Sequence, residues 1–262
     1  MMVSGITLTR DGAIAWITID RPKANAIDAA ASRAMYAAVR ELEDDPQLRV
    51  GIVTGAGGRF FSAGWDLKAA AAGEAPDADF GPGGFAGITE FLGRRKPLLA
   101  AVNGIAFGGG FELALSCDLV VAAESAQFAL PEAGLGIMAD AGGVIRLPRI
   151  IGRTRAAEML MTGRRIDAAT AFAWGVVNQV VDDADLSEAA HELATRVCAS
   201  APLSIAAILE VWRATDGMPV DDALGAMHGP AMPIHQALAA SADAREGIAA
   251  FNEKRAQRWR GR

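Results

Sequence analysis

The chain has 262 residues, 52% of them apolar and 21% charged, enough to bury one large core or one core with a small appendage. A formal net charge of −6 argues against a nucleic-acid partner or an anionic membrane surface, and no apolar run approaches the ~18 residues of a membrane span. Met1-Met2-Val3-Ser4-Gly5 lacks the basic-then-apolar pattern of a signal peptide, and the two cysteines, Cys117 and Cys198, read as buried and reduced, so a cytoplasmic protein is expected.

The strand and helix signals come in alternation. Ile6 to Arg10 and Ala13 to Asp20 alternate apolar and polar around Asp11-Gly12, a hairpin signal. Asp28 is placed to cap a helix running to about Glu43, with Ala31, Met35, Ala38 and Leu42 on one face. Val50 to Thr54 reads as a buried strand. Residues 69–84, rich in Ala, Gly, Pro and Asp, show no period and read as a mobile loop. A short helix is expected over Phe85–Leu92 and a strand over Leu98–Val102. Strands at Asp118–Ala122 and Val176–Val181, helices near 143–149 and 153–162, and a short extended piece at Gln127–Glu132 follow. Beyond Asp185 strand signals stop, and helices are expected over Ser187–Ser200, Leu203–Ala214, Val220–Met227 and Ala242–Arg258. That change divides the chain into an α/β core, residues 1–195, and a helical segment, residues 196–262.

The stretch with most chemistry is Gly108-Gly109-Gly110-Phe111-Glu112-Leu113-Ala114-Leu115. Glycines between a strand and a helix bring bare N–H groups close to a ligand, and the first N–H groups of a helix lack intrahelical acceptors. The helix dipole favours negative charge there, so the turn can seat a developing oxyanion, with the Glu112 carboxylate one turn away. Read alone, the same stretch is also an ordinary strand-to-helix turn. The three histidines show no metal-ligand spacing, and no metal is expected. Only four lysines occur, Lys23, Lys68, Lys96 and Lys254, so their positions carry information.

Phe61-Ser62-Ala63-Gly64-Trp65-Asp66-Leu67-Lys68, the glycine–Glu112 stretch, Phe128-Ala129-Leu130-Pro131-Glu132, Gly136-Ile137-Met138-Ala139-Asp140-Ala141-Gly142-Gly143 and the ending Phe251-Asn252-Glu253-Lys254-Arg255 resemble, in order and spacing, the enoyl-CoA hydratase/isomerase (crotonase) superfamily. Within it, Ser62–Ala70, the following Glu74–Gly87 loop and Met161–Arg165 resemble the branch that dehydrates carnitinyl-CoA. The resemblance implies a spiral of ββα units with a C-terminal helical trimerisation region, assembled as a homotrimer or a hexamer. It implies an acyl-CoA substrate and no prosthetic group.

Several site residues follow from the resemblance. The backbone N–H groups of Trp65 and Gly109 would hold the thioester oxygen as it becomes an enolate. Glu112 and Glu132 would be the two carboxyls that move water and proton. Two carboxyls on one water can act as base and acid if burial and repulsion keep one protonated. Coenzyme A would be held by Lys23 and Ala24, by the backbone at Ala63, Asp66 and Leu67, and by Lys68 at a phosphate. Phe251 and Lys254 would close the adenine site, in many members from a neighbouring subunit. Asp140 stands where the family turn usually follows a proline and Ala139 replaces it here, which leaves catalysis and turn-capping both open. A trimethylammonium acyl group would want an aromatic face or a carboxylate, with Trp65, Phe80, Phe85, Asp77 and Asp79 as candidates.

The expected activity is reversible water addition at the 2,3-bond of a short acyl-CoA, with crotonobetainyl-CoA/L-carnitinyl-CoA preferred. A general short-chain enoyl-CoA hydratase, a Δ3,Δ2-enoyl-CoA isomerase, and a non-catalytic acyl-CoA- or RNA-binding scaffold on the same fold are the alternatives.

Overall fold

A computed structural model describes residues 5–262; the Met1–Ser4 part of the leader reading lies outside the described residues. Among the described residues, ten strands form two sheets. The larger is ordered β1-β2-β3-β5-β7-β10, from β1 (Ile6–Asp11), β2 (Ile14–Ile19), β3 (Val50–Gly55), β5 (Leu98–Val102), β7 (Leu119–Ala123) and β10 (Gln179–Val181). Only the β1–β2 hairpin is antiparallel in it, turning at Asp11-Gly12 as the sequence suggests. The smaller sheet is ordered β4-β6-β8-β9, from β4 (Phe60–Ser62), β6 (Ile105–Phe107), β8 (Gln127–Ala129) and β9 (Ile166–Asp167). A strand of the large sheet is thus followed three times by one of the small sheet: β3 by β4, β5 by β6, β7 by β8.

Alternation along the large sheet fills two cores at once. On β5, Leu98, Ala100 and Val102 face one core while Leu99 and Ala101 face the other. The second core is closed by α7 (Leu186–Cys198), which buries Leu186, Ala189, Ala190 and Ala194 against Val50, Ile52, Leu99 and Val121. The first lies beneath α1 (Ala29–Asp44), whose N-cap Asp28 accepts from Ala31 N at 2.7 Å. Its inward face carries Ala31, Met35, Val39 and Leu42; Val39 takes the place expected for Ala38, which is half-buried. Lys96 closes the other end of α1, its Nζ donating to Leu42 O at 2.7 Å and Asp45 O at 2.6 Å.

Three local expectations change. The 69–84 loop begins in a short helix, α2 (Leu67–Ala71), capped by Asp66, and its remainder is tied down by hydrogen bonds described below. The helix expected over Phe85–Leu92 is a single 3₁₀ turn, Phe85–Gly87, because glycines at 84 and 87 take left-handed φ values of 70° and break it. The C-terminal segment continues through α8 (Pro202–Thr215), α9 (Val220–Met227), α10 (Pro233–Leu238) and α11 (Ala242–Glu253). The last is shorter than expected, since Lys254 ends it in the left-handed conformation.

Candidate active site

The site is delivered by three neighbouring strands of the small sheet. β4 leaves through Ala63-Gly64 to Trp65. β6 leaves through Gly108 to α3 (Gly109–Leu115), with Glu112 in its first turn. β8 leaves through Leu130-Pro131 to Glu132, which opens a 3₁₀ turn. β4, β6 and β8 run parallel and side by side, so all three exits lie on one edge, and Gly108 N donates to Ala129 O at 2.9 Å to hold two of them together.

Two backbone donors meet here. Ile27 pairs with Trp65 as a parallel bridge in which Ile27 N donates to Gly64 O (2.8 Å) and Asp66 N to Ile27 O (2.9 Å). That pattern uses the groups flanking Trp65 and turns the Trp65 N–H to the opposite side. Gly109 N is the first donor of α3 and has no intrahelical acceptor by construction. The two loops touch through Gly64: at φ +84°, a Cβ there would stand 2.6 Å from Gly109 N. Trp65 and Gly109 both line a cavity of about 330 Å³.

The same cavity receives both glutamates. Glu112 is 3% exposed, and its Oε1 accepts from Gly143 N at 2.8 Å, at the start of α4 (Gly143–Ile151). Burial is the main reason its carboxyl is pushed up to about 8; the Gly143 bond opposes that shift, and Glu132 and Asp140 reinforce it. Glu132 is 8% exposed, its Oε2 is buried without a hydrogen-bond partner, and burial followed by Asp140 raises its carboxyl as well. Gly108, at φ +56°, makes room for it: a Cβ would meet Glu132 Oε1 at 2.9 Å. Burial thus holds both carboxyls above their ordinary range, Glu112 with a backbone donor on Oε1 and Glu132 with an Oε2 that has no hydrogen-bond partner among the described residues.

The cavity is also aromatic and acidic. Trp65, Phe80 and Phe85 line it, and the two phenyl rings meet edge to face at 5.3 Å. Five acidic side chains line the cavity, Asp77, Glu90, Glu112, Glu132 and Asp140, and among the described residues no lysine, arginine or histidine does so. Glu90 has no sequence signal; it arrives because the 3₁₀ turn ends in a bend that bonds Glu90 N to Gly83 O. Asp140 faces the cavity, and α4 starts from Gly142 without any side-chain cap, so Asp140 does not cap that helix. Asp79 is not among the lining residues: it is 84% exposed, and Arg33 Nη2 reaches its Oδ2 at 3.2 Å and its backbone oxygen at 2.5 Å. Glu74 fixes the start of the loop, accepting from Trp65 Nε1 at 2.9 Å and from Ala29 N at 3.1 Å.

The residues expected at coenzyme A fall in two groups. Ala63 N donates to Ala24 O at 2.9 Å, which lays the Lys23–Ala24 loop against the exit of β4. Asn25 locks that loop, donating to Ala56 O and Phe60 O. Asp66 spends its side chain on Lys68 N and Ala69 N, while Leu67 and Lys68 are exposed beside it. Phe251 and Lys254 are elsewhere: Phe251 is 81% exposed on α11, and neither lines the cavity of its own chain.

Comparison with known proteins agrees with this architecture. The family model "Enoyl-CoA hydratase/isomerase" matches residues 9–262. The chain belongs to the enoyl-CoA hydratase/isomerase family, and its fold is the crotonase fold. Carnitinyl-CoA dehydratases of Salmonella typhi and Shigella flexneri are each 57% identical to it over 261 residues, covering 100% of both chains. Among solved structures, an enoyl-CoA hydratase from Mycobacterium tuberculosis superposes with a TM-score of 0.90 at 39% identity, covering 99% of this chain and 100% of that one. Enoyl-CoA hydratase EchA1 from Mycobacterium marinum gives 0.90 at 41%, with the same coverage.

Proposed function

We propose that the protein is a hydro-lyase that reversibly adds water across the 2,3-bond of crotonobetainyl-CoA to give L-carnitinyl-CoA. The observation that carries the substrate is the cavity lining: besides Glu112 and Glu132 it holds three aromatic side chains and three acidic ones, Asp77, Glu90 and Asp140, without one basic group among the described residues. Once its carboxyl is a thioester, crotonobetaine keeps only a trimethylammonium charge, and such a wall suits a desolvated cation. The full-length similarity to carnitinyl-CoA dehydratases supports the same substrate.

The chemistry is assigned by position and burial. The Trp65 and Gly109 N–H groups would hold the thioester oxygen, each worth roughly 2.7–4 kcal/mol as enolate charge develops. Hydration needs one ionised and one protonated carboxyl on the attacking water, and the raised pair of Glu112 and Glu132 supplies it. The two titrate together, so base and acid are properties of the pair. Lys23, Ala24, Ala63, Asp66, Leu67 and Lys68 would hold coenzyme A along the β4 exit. Phe251 and Lys254, remote from the cavity within one chain, would act on a neighbouring copy. Residues 196–262 would then serve assembly of a homotrimer, or of a hexamer made from two.

Paired hydration kinetics on crotonobetainyl-CoA and crotonyl-CoA test the reading. A strong preference for crotonobetainyl-CoA, with turnover lost in both Glu112→Gln and Glu132→Gln, is the expected result. A preference for crotonyl-CoA makes the protein a general hydratase, as the mycobacterial structures are titled. Product formed without water entry makes it an isomerase, and no turnover of either substrate makes it a binder.

A further inference from the structure

Trp65 is held at the edge of its ring. The indole Nε1–H donates to Glu74 Oε1 at 2.9 Å, and Glu74 Oε2 accepts from Ala29 N at 3.1 Å, at the first residue of α1. Glu74 N in turn donates to Ala69 O at 3.0 Å, which fixes where the carboxylate emerges from the end of α2. One half-buried carboxylate thus joins α1, the 69–84 loop and the tryptophan that walls the cavity. None of these three bonds involves Glu112 or Glu132.

Building on the trimethylammonium reading above, we propose that Glu74 is a positioning residue that sets selectivity for a cationic acyl group by acting through Trp65. Two effects follow from the geometry. The shared bond with α1 holds the indole in one orientation, so little freedom is lost when a ligand packs on it. Donating the indole N–H to a carboxylate also shifts electron density into the ring, which strengthens the attraction of its face for a cation. A neutral acyl chain of the same shape shares the first effect and gains nothing from the second. Glu74 therefore separates cationic from neutral acyl groups, whereas Glu112 and Glu132 serve both.

The test uses two unreactive ligands of nearly equal shape, γ-butyrobetainyl-CoA and its neutral carbon isostere 5,5-dimethylhexanoyl-CoA, titrated calorimetrically into the intact protein. The wild type is expected to prefer the cationic ligand. In Glu74→Gln that preference should fall about fivefold while affinity for the neutral isostere stays within about twofold. Ultraviolet resonance Raman of the Trp65 indole, isolated by subtracting the Trp65→Phe spectrum, should show a weaker N–H hydrogen bond in Glu74→Gln. A loss shared equally by both ligands overturns the proposal and makes Glu74 a simple clamp of the loop. A wild-type preference that Glu74→Gln leaves intact, or an unchanged indole band, also overturns it while leaving the substrate reading standing. A wild type that holds both ligands equally overturns the trimethylammonium reading itself.

Discussion

The reacting wall and the loop that faces it are built by different means. On the wall, Glu112 and Glu132 are almost wholly buried, and their places are set by strand exits and by glycines whose Cβ would strike a site atom. On the loop, most side chains are exposed, and four anchor bonds set its course: Trp65–Glu74, Ala29–Glu74 and two from Arg33 to Asp79. The wall has little freedom to move, because its geometry is also the packing of the core. The loop can change sequence while its anchors stay. Chemistry common to a family thus belongs on the wall, and the choice of acyl group belongs on the loop.

The largest break in that contrast comes from the wall. Glu112→Gln and Glu132→Gln should each lower kcat by about 10²–10⁴, since each removes a proton-transfer group, and the loss should be the same on crotonyl and crotonobetainyl substrates. Losses that differ tenfold between substrates would place a glutamate in acyl selection and blur the division. The wall should also show in stability. The folded carboxyl of Glu112, at about 8, lies above its ordinary 4.5, so on raising pH the unfolded chain ionises first. Glu112 should therefore favour the fold fully below about pH 4.5 and lose that contribution up to about pH 8, a change on the order of 5 kcal/mol. Gln does not titrate, so the melting temperature of Glu112→Gln should rise relative to wild type between pH 5 and pH 8. An offset that stays flat over that range would mean Glu112 is not held protonated.

The same contrast governs what was legible in the sequence. The hairpin at Asp11-Gly12, the Asp28 cap and the buried strands were readable because local chemistry and tertiary packing agree there. Glu112 and Glu132 carried motif signals, and both line one cavity. The short strands β4, β6 and β9 were not readable: two or three residues hold no period, and only their neighbours make them strands. The loop was harder still. Asp79 reads as a candidate cavity acid, yet its carboxylate pairs with Arg33, 46 positions earlier, and does not line the cavity. Glu74 sits in a stretch without periodicity and Glu90 in one that reads as a short helix, and only the fold aims one at the indole and the other into the cavity.

On the loop, Trp65→Ala should separate the substrates. It removes the aromatic face but leaves the backbone N–H, so kcat/KM on crotonobetainyl-CoA should fall about tenfold or more, with crotonyl-CoA affected several-fold less. Equal losses on both would mean the ring serves packing alone.

The smallest effect is expected at the loop's outer anchor. Arg33 and Asp79 are 50% and 84% exposed, and the Asp79 carboxylate is held below its ordinary range first by the Gly81 N–H and only then by Arg33. Exposed ion pairs contribute little, because water and salt screen them. The Glu74 bonds and the Phe80–Phe85 contact remain when Arg33 is cut back. Arg33→Ala should therefore change KM by less than about twofold on either substrate, with kcat unmoved. An order-of-magnitude rise in KM confined to crotonobetainyl-CoA would show instead that the outer anchor sets the cavity's shape. The selective role given to the Trp65–Glu74 end would then extend along the whole loop.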